Sequence, residues 1–230
     1  MENPVVLLCV RGMQAEAEGR ADEAGRLFVR AWESAGDDYD ACVAAHYLAR
    51  QQSSPEETLR WNRECLERAD RVGDARVAGF YASLHLNMAK SYGELGDGGL
   101  AHEHCARAAA HVDTVPEGEY RDWMRFAIAE GLRSEAAAAA ETDAGSPAGG
   151  AGGPLDELVT LWCARAELKA LGLVLPAHLG NLGTAADRER LVLVLRMVHA
   201  GRWLPEGEQM LLERAIGVLS NVFDEECAER

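Results

Sequence analysis

An all-α fold, made of stacked helical hairpins followed by a C-terminal helical segment, is what this sequence predicts. Three observations carry that expectation. One residue pattern recurs three times with identical internal spacing. Its steps of three and four keep the repeated positions on one helical face. No segment shows the two-residue alternation from which a sheet domain is built.

The first copy is Leu8, Gly12, Ala15, Gly19, Ala24, Phe28 and Ala31, the second Cys42, His46, Ala49, Ser53, Thr58, Asn62 and Cys65, and the third His85, Ala89, Tyr92, Gly96, Ala101, Cys105 and Ala108. Within each copy the offsets are four, three, four, five, four and three. The first two copies start 34 residues apart and the third follows after 43, so nine residues are inserted. Extension of the helix ending near Arg71 is the expected place for them.

Gly19, Ser53 and Gly96 fall where a first helix stops and the chain turns into a second. Ala24 and Ala101 are small enough to let the returning helix approach. Ser54-Pro55-Glu56-Glu57 starts a helix well: Ser54 caps, Pro55 suits the first turn, and the acids complement the positive end of the dipole.

After Pro116-Glu117-Gly118-Glu119-Tyr120, an amphipathic stretch carrying Trp123, Phe126, Ile128 and Leu132 runs to about Glu135 and is extended by five alanines. It reads as a helix capping an open stack. The composition of 141–154, rich in Gly, Ala and Pro, reads as a linker. Three helical patterns follow: Leu155 to Leu171, Thr184 to His199 with Thr184 and Asp187 as a capping pair, and one from Pro205 carrying Leu211, Ala215, Leu219 and Val222. The domain expectation is therefore a repeat domain with its cap over 1–140, a linker over 141–154, and a three-helix segment over 155–230. The turn around Gly201 is a candidate for a fourth, degenerate repeat.

The 34-residue helix-turn-helix unit with these small and large positions resembles the tetratricopeptide repeat, over about residues 5–115. The chain is also similar to small actinobacterial tetratricopeptide proteins of unassigned function, through Cys42-Val-Ala-Ala-His-Tyr-Leu-Ala-Arg50 and Pro55-Glu-Glu-Thr-Leu-Arg-Trp-Asn62. Two departures stand out. His46 occupies a position where the family has a small residue, and Asn62 and Cys105 replace the large apolar residue present as Phe28. The resemblance implies a right-handed superhelix whose first helices line a concave, partner-binding groove. Mapped onto this chain, that groove carries Met13, then Tyr47 and Arg50, then Leu86, Asn87 and Lys90. These residues suit charge-assisted capture of a peptide carboxylate or acidic side chain, with Met13 and Tyr47 as adaptable apolar contacts. The alternative is that Arg50 and Lys90 merely pair with Glu16 or Glu94.

Composition bounds the function. The net charge is −15 with only two lysines, Lys90 and Lys169, and no basic stripe, which argues against direct nucleic-acid binding and against an anionic membrane surface. No run of about 20 apolar residues is present to span a bilayer. The N-terminus lacks a basic region ahead of an apolar run, so it does not read as a secretory signal. A cytoplasmic, acidic protein is expected. The six cysteines are scattered without a C-x-x-C pair and read as free thiols packed like small apolar residues. Neither a nucleophile elbow nor a phosphate loop occurs. In His102-Glu103-His104-Cys105 the ligand types do not converge, and the two histidines read as solvated. Cys42 and His46 share a helix face, where a hydrogen-bonded buried histidine is the expectation.

No catalytic residue, metal or cofactor is expected. The function expected is non-catalytic: an adaptor or regulatory protein that takes a protein or peptide in its groove, with homodimerisation through the C-terminal helices open. The alternative is a small-molecule or metal sensor, or an enzyme, with a pocket between repeats and C-terminal helices drawing on His46, Tyr47, Arg50, His85 and Lys90.

Overall fold

The computed structural model describes residues 3–142 and 153–228, with side chains over 3–134 and 153–220. The described residues form eleven α-helices and one short 3-10 turn, and no strand. They divide into two compact units, Met1–Met124 and Arg125–Arg230. The expected linker, 141–154, lies largely outside the described residues.

In the first unit, α1 (Pro4–Ala17) pairs with α2 (Ala21–Glu33), α3 (Asp38–Arg50) with α4 (Pro55–Val72), and α5 (Ala78–Glu94) with α6 (Gly98–His111). Successive hairpins also touch, through α2 with α3 and α4 with α5. The hairpins predicted from the repeated offsets are thus present. The extra length is divided: α4 has 18 residues against 13 in α2, and α5 has 17 against 14 in α1.

Local chemistry explains the ends. Asn3 caps α1 by accepting from the N–H groups of Val5 (2.8 Å) and Val6 (3.1 Å). Ser54 caps α4 by accepting from Glu57 N–H at 3.2 Å, with Pro55 in the first turn. At the end of α1, Gly19 is left-handed (φ 76°), its N–H donates to Glu16 O, and Arg20 N–H donates to Ala15 O. The end of α5 repeats this with Gly96 (φ 81°), through Gly96 N–H to Gly93 O and Asp97 N–H to Tyr92 O. Both are the paired-bond helix stop that a left-handed residue permits. Ser53 has no such conformation, and the α3–α4 turn differs.

The cores show why the repeated positions are what they are. Phe28 is fully buried with its ring over Gly12, where a Cβ would fall 2.2 Å from Phe28 Cε1. Val5, Cys9, Ala15, Ala24 and Ala31 belong to the same cluster, with Val43, Ala44 and Leu48 of α3. Cys42 and Cys65 are fully buried with sulfurs 3.6 Å apart, and the Cys65 thiol reaches the Cys42 carbonyl at 3.1 Å. Cys9 and Cys105 are also buried, whereas Cys163 is exposed. The side chain of Cys227 lies outside the described residues.

The helix expected as a cap is α7 (Glu119–Thr142). Its buried stripe is Met124, Ile128 and Ala129. Trp123, expected on the apolar side, is 56% exposed and stacks on the equally exposed Tyr120. One residue separates Trp123 from the stripe, and on a helix that is a rotation of about 100°.

The second unit contains α8 (Pro154–Ala164), α9 (Leu168–Leu179), α10 (Ala185–Gly201) and α11 (Glu206–Ala228). Each touches the next, and α8 also meets α11. Leu158, Trp162, Val174, Leu195 and Leu212 form its buried core. The pattern expected to run unbroken from Leu155 to Leu171 is two helices. Ala166 adopts φ 54°, and its N–H and that of Glu167 bond to Cys163 O and Trp162 O, the stop seen at Gly19 and Gly96. The break re-phases Leu168, which is 75% exposed rather than in the core. Around Gly201, the candidate for a fourth repeat, α10 and α11 form a further hairpin whose turn residue Arg202 is also left-handed (φ 53°), and Trp203 folds its ring onto the glycine. Thr184 caps α10 as expected, accepting from Asp187 N–H at 3.1 Å, and the Asp187 carboxylate pairs with Arg125.

Candidate functional site

The site is built by α3, α4 and α5. Thr58 and Asn62 are four apart on α4, and Asn87 and Ser91 are four apart on α5, so each pair shares a face. Leu59, Met88 and Tyr92 form an apolar cluster on the same two helices. α3, α4 and α5 line a polar cavity of about 370 Å³. The end of α3 contributes Arg50, the α3–α4 turn Ser53 and Ser54, and α5 also Lys90 and Glu94. The α4 N-terminus opens here, adding the positive end of its dipole.

A second cavity, of about 350 Å³, is lined by His46, Tyr47, Arg50, Arg76, Phe80 and Tyr120 among others. Tyr47 stacks on Phe28 with ring centroids 5.2 Å apart, and the Arg50 guanidinium lies 5.8 Å from the Tyr47 ring centroid. Arg50 lines both cavities.

Three of the six groove residues predicted from sequence, Arg50, Asn87 and Lys90, therefore meet at one cavity, and Tyr47 joins Arg50 at the other. Met13 and Leu86, both half-buried, line neither. Both cations have intramolecular partners. Arg50 Nη2 is 3.0 Å from Glu16 Oε2, and Lys90 Nζ is 3.8 Å from Glu94 Oε1. With half of the Arg50 side chain and three quarters of that of Lys90 exposed, such pairs are weak and exchange readily for another anion.

Two buried polar groups here lack partners among the described residues. Asn62 is fully buried, and both its Oδ1 and its Nδ2 are unmatched. His46 Nδ1 is likewise unmatched, which corrects the expectation of a hydrogen-bonded histidine. Burial, and then the nearby Arg50 charge, push the His46 imidazole down to about 4, so it is neutral at pH 7. The sequence flagged Asn62 only as a departure from Phe28. A carboxamide in a slot that is aromatic in the first copy was the available signal.

His85 and His104 are both buried and face each other with Nδ1 atoms 3.0 Å apart. Tyr92 stacks on His104, and His111 on Tyr81. His102 is exposed as expected, but His104 is not the solvated residue it seemed, because it turns inward to meet His85. Among the described residues no three His, Cys, Asp or Glu side chains converge to hold a metal ion. No helix of the described residues is long and apolar enough to cross a membrane.

No family model, no characterised protein and no solved structure matches this chain.

Proposed function

We propose that this protein is a non-catalytic adaptor or regulatory protein, whose first unit is a tetratricopeptide-type hairpin stack that captures an acidic group of a protein or peptide partner. The observation that carries this reading is the meeting of Arg50, Lys90 and Asn87 at one polar cavity beside the α4 N-terminus. Two cations and a helix dipole in a chain of net charge −15 make a local site for an anion. Glu94 at the rim, with Glu56 and Glu57 in the first turn of α4, disfavours a dianion more than a single carboxylate. The aromatic cavity next door, with Tyr47, Phe80 and Tyr120, suits the apolar side chains of an extended peptide. The hairpin-stack part of the reading is supported by the shared stop at Gly19 and Gly96.

An array of short peptides tests it. Peptides with a free C-terminal carboxylate or acidic side chains are expected to bind the intact protein, and their amidated, neutral counterparts are not. The Arg50→Glu/Lys90→Glu protein should bind at least about tenfold more weakly. Equal capture of neutral and acidic peptides would rule the reading out.

A further inference from the structure

We propose that the cavity over Asn62 is a subsite for a carboxamide carried next to a carboxylate: the side chain of a C-terminal glutamine or asparagine of a polypeptide, or the same group in a free N-acylated amino acid. This rests on reading the cavity as the binding site, and it adds what the cavity selects.

The argument starts from one buried side chain. Asn62 occupies the slot that Phe28 fills in the first hairpin, and it is fully buried. A polar group in such a place is costly unless something matches it. Neither its carbonyl oxygen nor its amide nitrogen has a partner among the described residues. Asn62 is among the residues that line the polar cavity. Its carboxamide edge carries a donor and an acceptor side by side; both atoms are shielded from solvent, so a ligand in the cavity reaches them only as the surrounding side chains adjust.

That edge limits the ligand chemistry. A carboxylate offers acceptors only and leaves Asn62 Oδ1 unmet, and an ammonium offers donors only and leaves Nδ2 unmet. A second carboxamide matches both atoms at once. The match is independent of which way the Asn62 amide is turned, because the ligand amide turns with it. A nucleobase edge also carries donors and acceptors, but no aromatic side chain lines this cavity to stack a base. Arg50 and Lys90 then take the adjoining carboxylate at the rim. A residue-sized group fits a space of about 370 Å³.

The test uses the intact chain and two matched pairs of probes: N-acetyl-glutamine against N-acetyl-glutamate, and an acetylated tetrapeptide ending in Gln against one ending in Glu, each with a free carboxylate. Titration calorimetry should show the carboxamide member binding at least about tenfold tighter, since a site built for an N–H rejects the isostere that lacks it. Binding by the tetrapeptide alone or by both carboxamide probes would identify the source. In Asn62→Leu the two members should bind within about twofold of each other, with the melting temperature unchanged or raised, because an unmet amide is replaced by an apolar group of similar size. If that variant fails to fold, the side-chain amide signals of Asn62 in the ¹⁵N spectrum decide. They should shift with the carboxamide probe and not with its acidic twin. Equal affinities, a preference that survives in Asn62→Leu, or unmoved Asn62 signals would each overturn the carboxamide inference alone, as an enclosed water on Asn62 would produce. No binding by any probe would overturn the site as well.

Discussion

His85 and His104 face each other across the seam of α5 and α6, with their Nδ1 atoms 3.0 Å apart. One must donate and the other accept, so the two neutral rings hold opposite tautomers. Burial, followed by the His104 ring, with Arg107 and His111 adding and Asp70 opposing, holds His85 down to about 4. Burial and Arg107 lower His104 too, against Glu103.

Stability is therefore expected to fall in acid. His46 and His85 have folded values of about 4 against 6.5 when free. Between those values the unfolded chain holds protons that the folded chain does not, so stability rises with pH through that window and levels above it. From pH 7 to pH 5 the loss is about 2 kcal/mol for each of these histidines. Urea titrations at the two pH values measure it. His85→Leu should be less stable at pH 7 by about 1–3 kcal/mol, because it strands His104. It should also show a shallower pH dependence.

Gly12 is expected to tolerate no side chain. Its Cβ would fall 2.2 Å from the edge of the Phe28 ring, and Phe28 is fully buried in the core. Gly12→Ala should cost about 1–3 kcal/mol through overpacking, read from chemical denaturation. Adding Phe28→Leu should recover part of that loss, since the two changes meet in one space. Simple addition of the two penalties would contradict the packing described.

In the second unit, the fully buried Trp162 donates its indole N–H to Glu208 Oε2 at 2.8 Å, and Arg165 Nη2 reaches the same oxygen at 2.8 Å. Glu208→Ala strands the indole and should lower the stability of this unit by about 1–3 kcal/mol. Glu208→Gln keeps an acceptor for Trp162 and should cost less. Following Trp162 by fluorescence needs the other tryptophans replaced, after which a red shift in Glu208→Ala would report the loosened packing.

The hairpins were legible because packing imposes a period. Leu8, Gly12 and Ala15, and their counterparts, must face the returning helix, and only steps of three and four achieve that. Gly19 and Gly96 marked their turns because a left-handed backbone favours glycine. Ala166 adopts the same conformation with a Cβ, so the break between α8 and α9 left no mark in the sequence. The repeat spacing places Arg50, Asn87 and Lys90 on first helices, but the cavity they share depends on the α3–α4 turn, whose course Ser53 does not reveal. The burial of His104 is not legible in the sequence because its neighbour Cys105 holds the repeated core position, yet both side chains are buried. An extra inward residue appears only when a partner such as His85 faces it.

Capture of a partner carboxylate by the α3–α5 cavity, the function proposed, is measured by titrating the intact protein with the tightest peptide from the array at two salt concentrations. The expected result is binding that weakens as salt rises and drops at least about tenfold in Arg50→Glu/Lys90→Glu, with the fold of that variant intact by circular dichroism. Affinity that is indifferent both to salt and to reversal of these two charges would exclude carboxylate capture by Arg50 and Lys90.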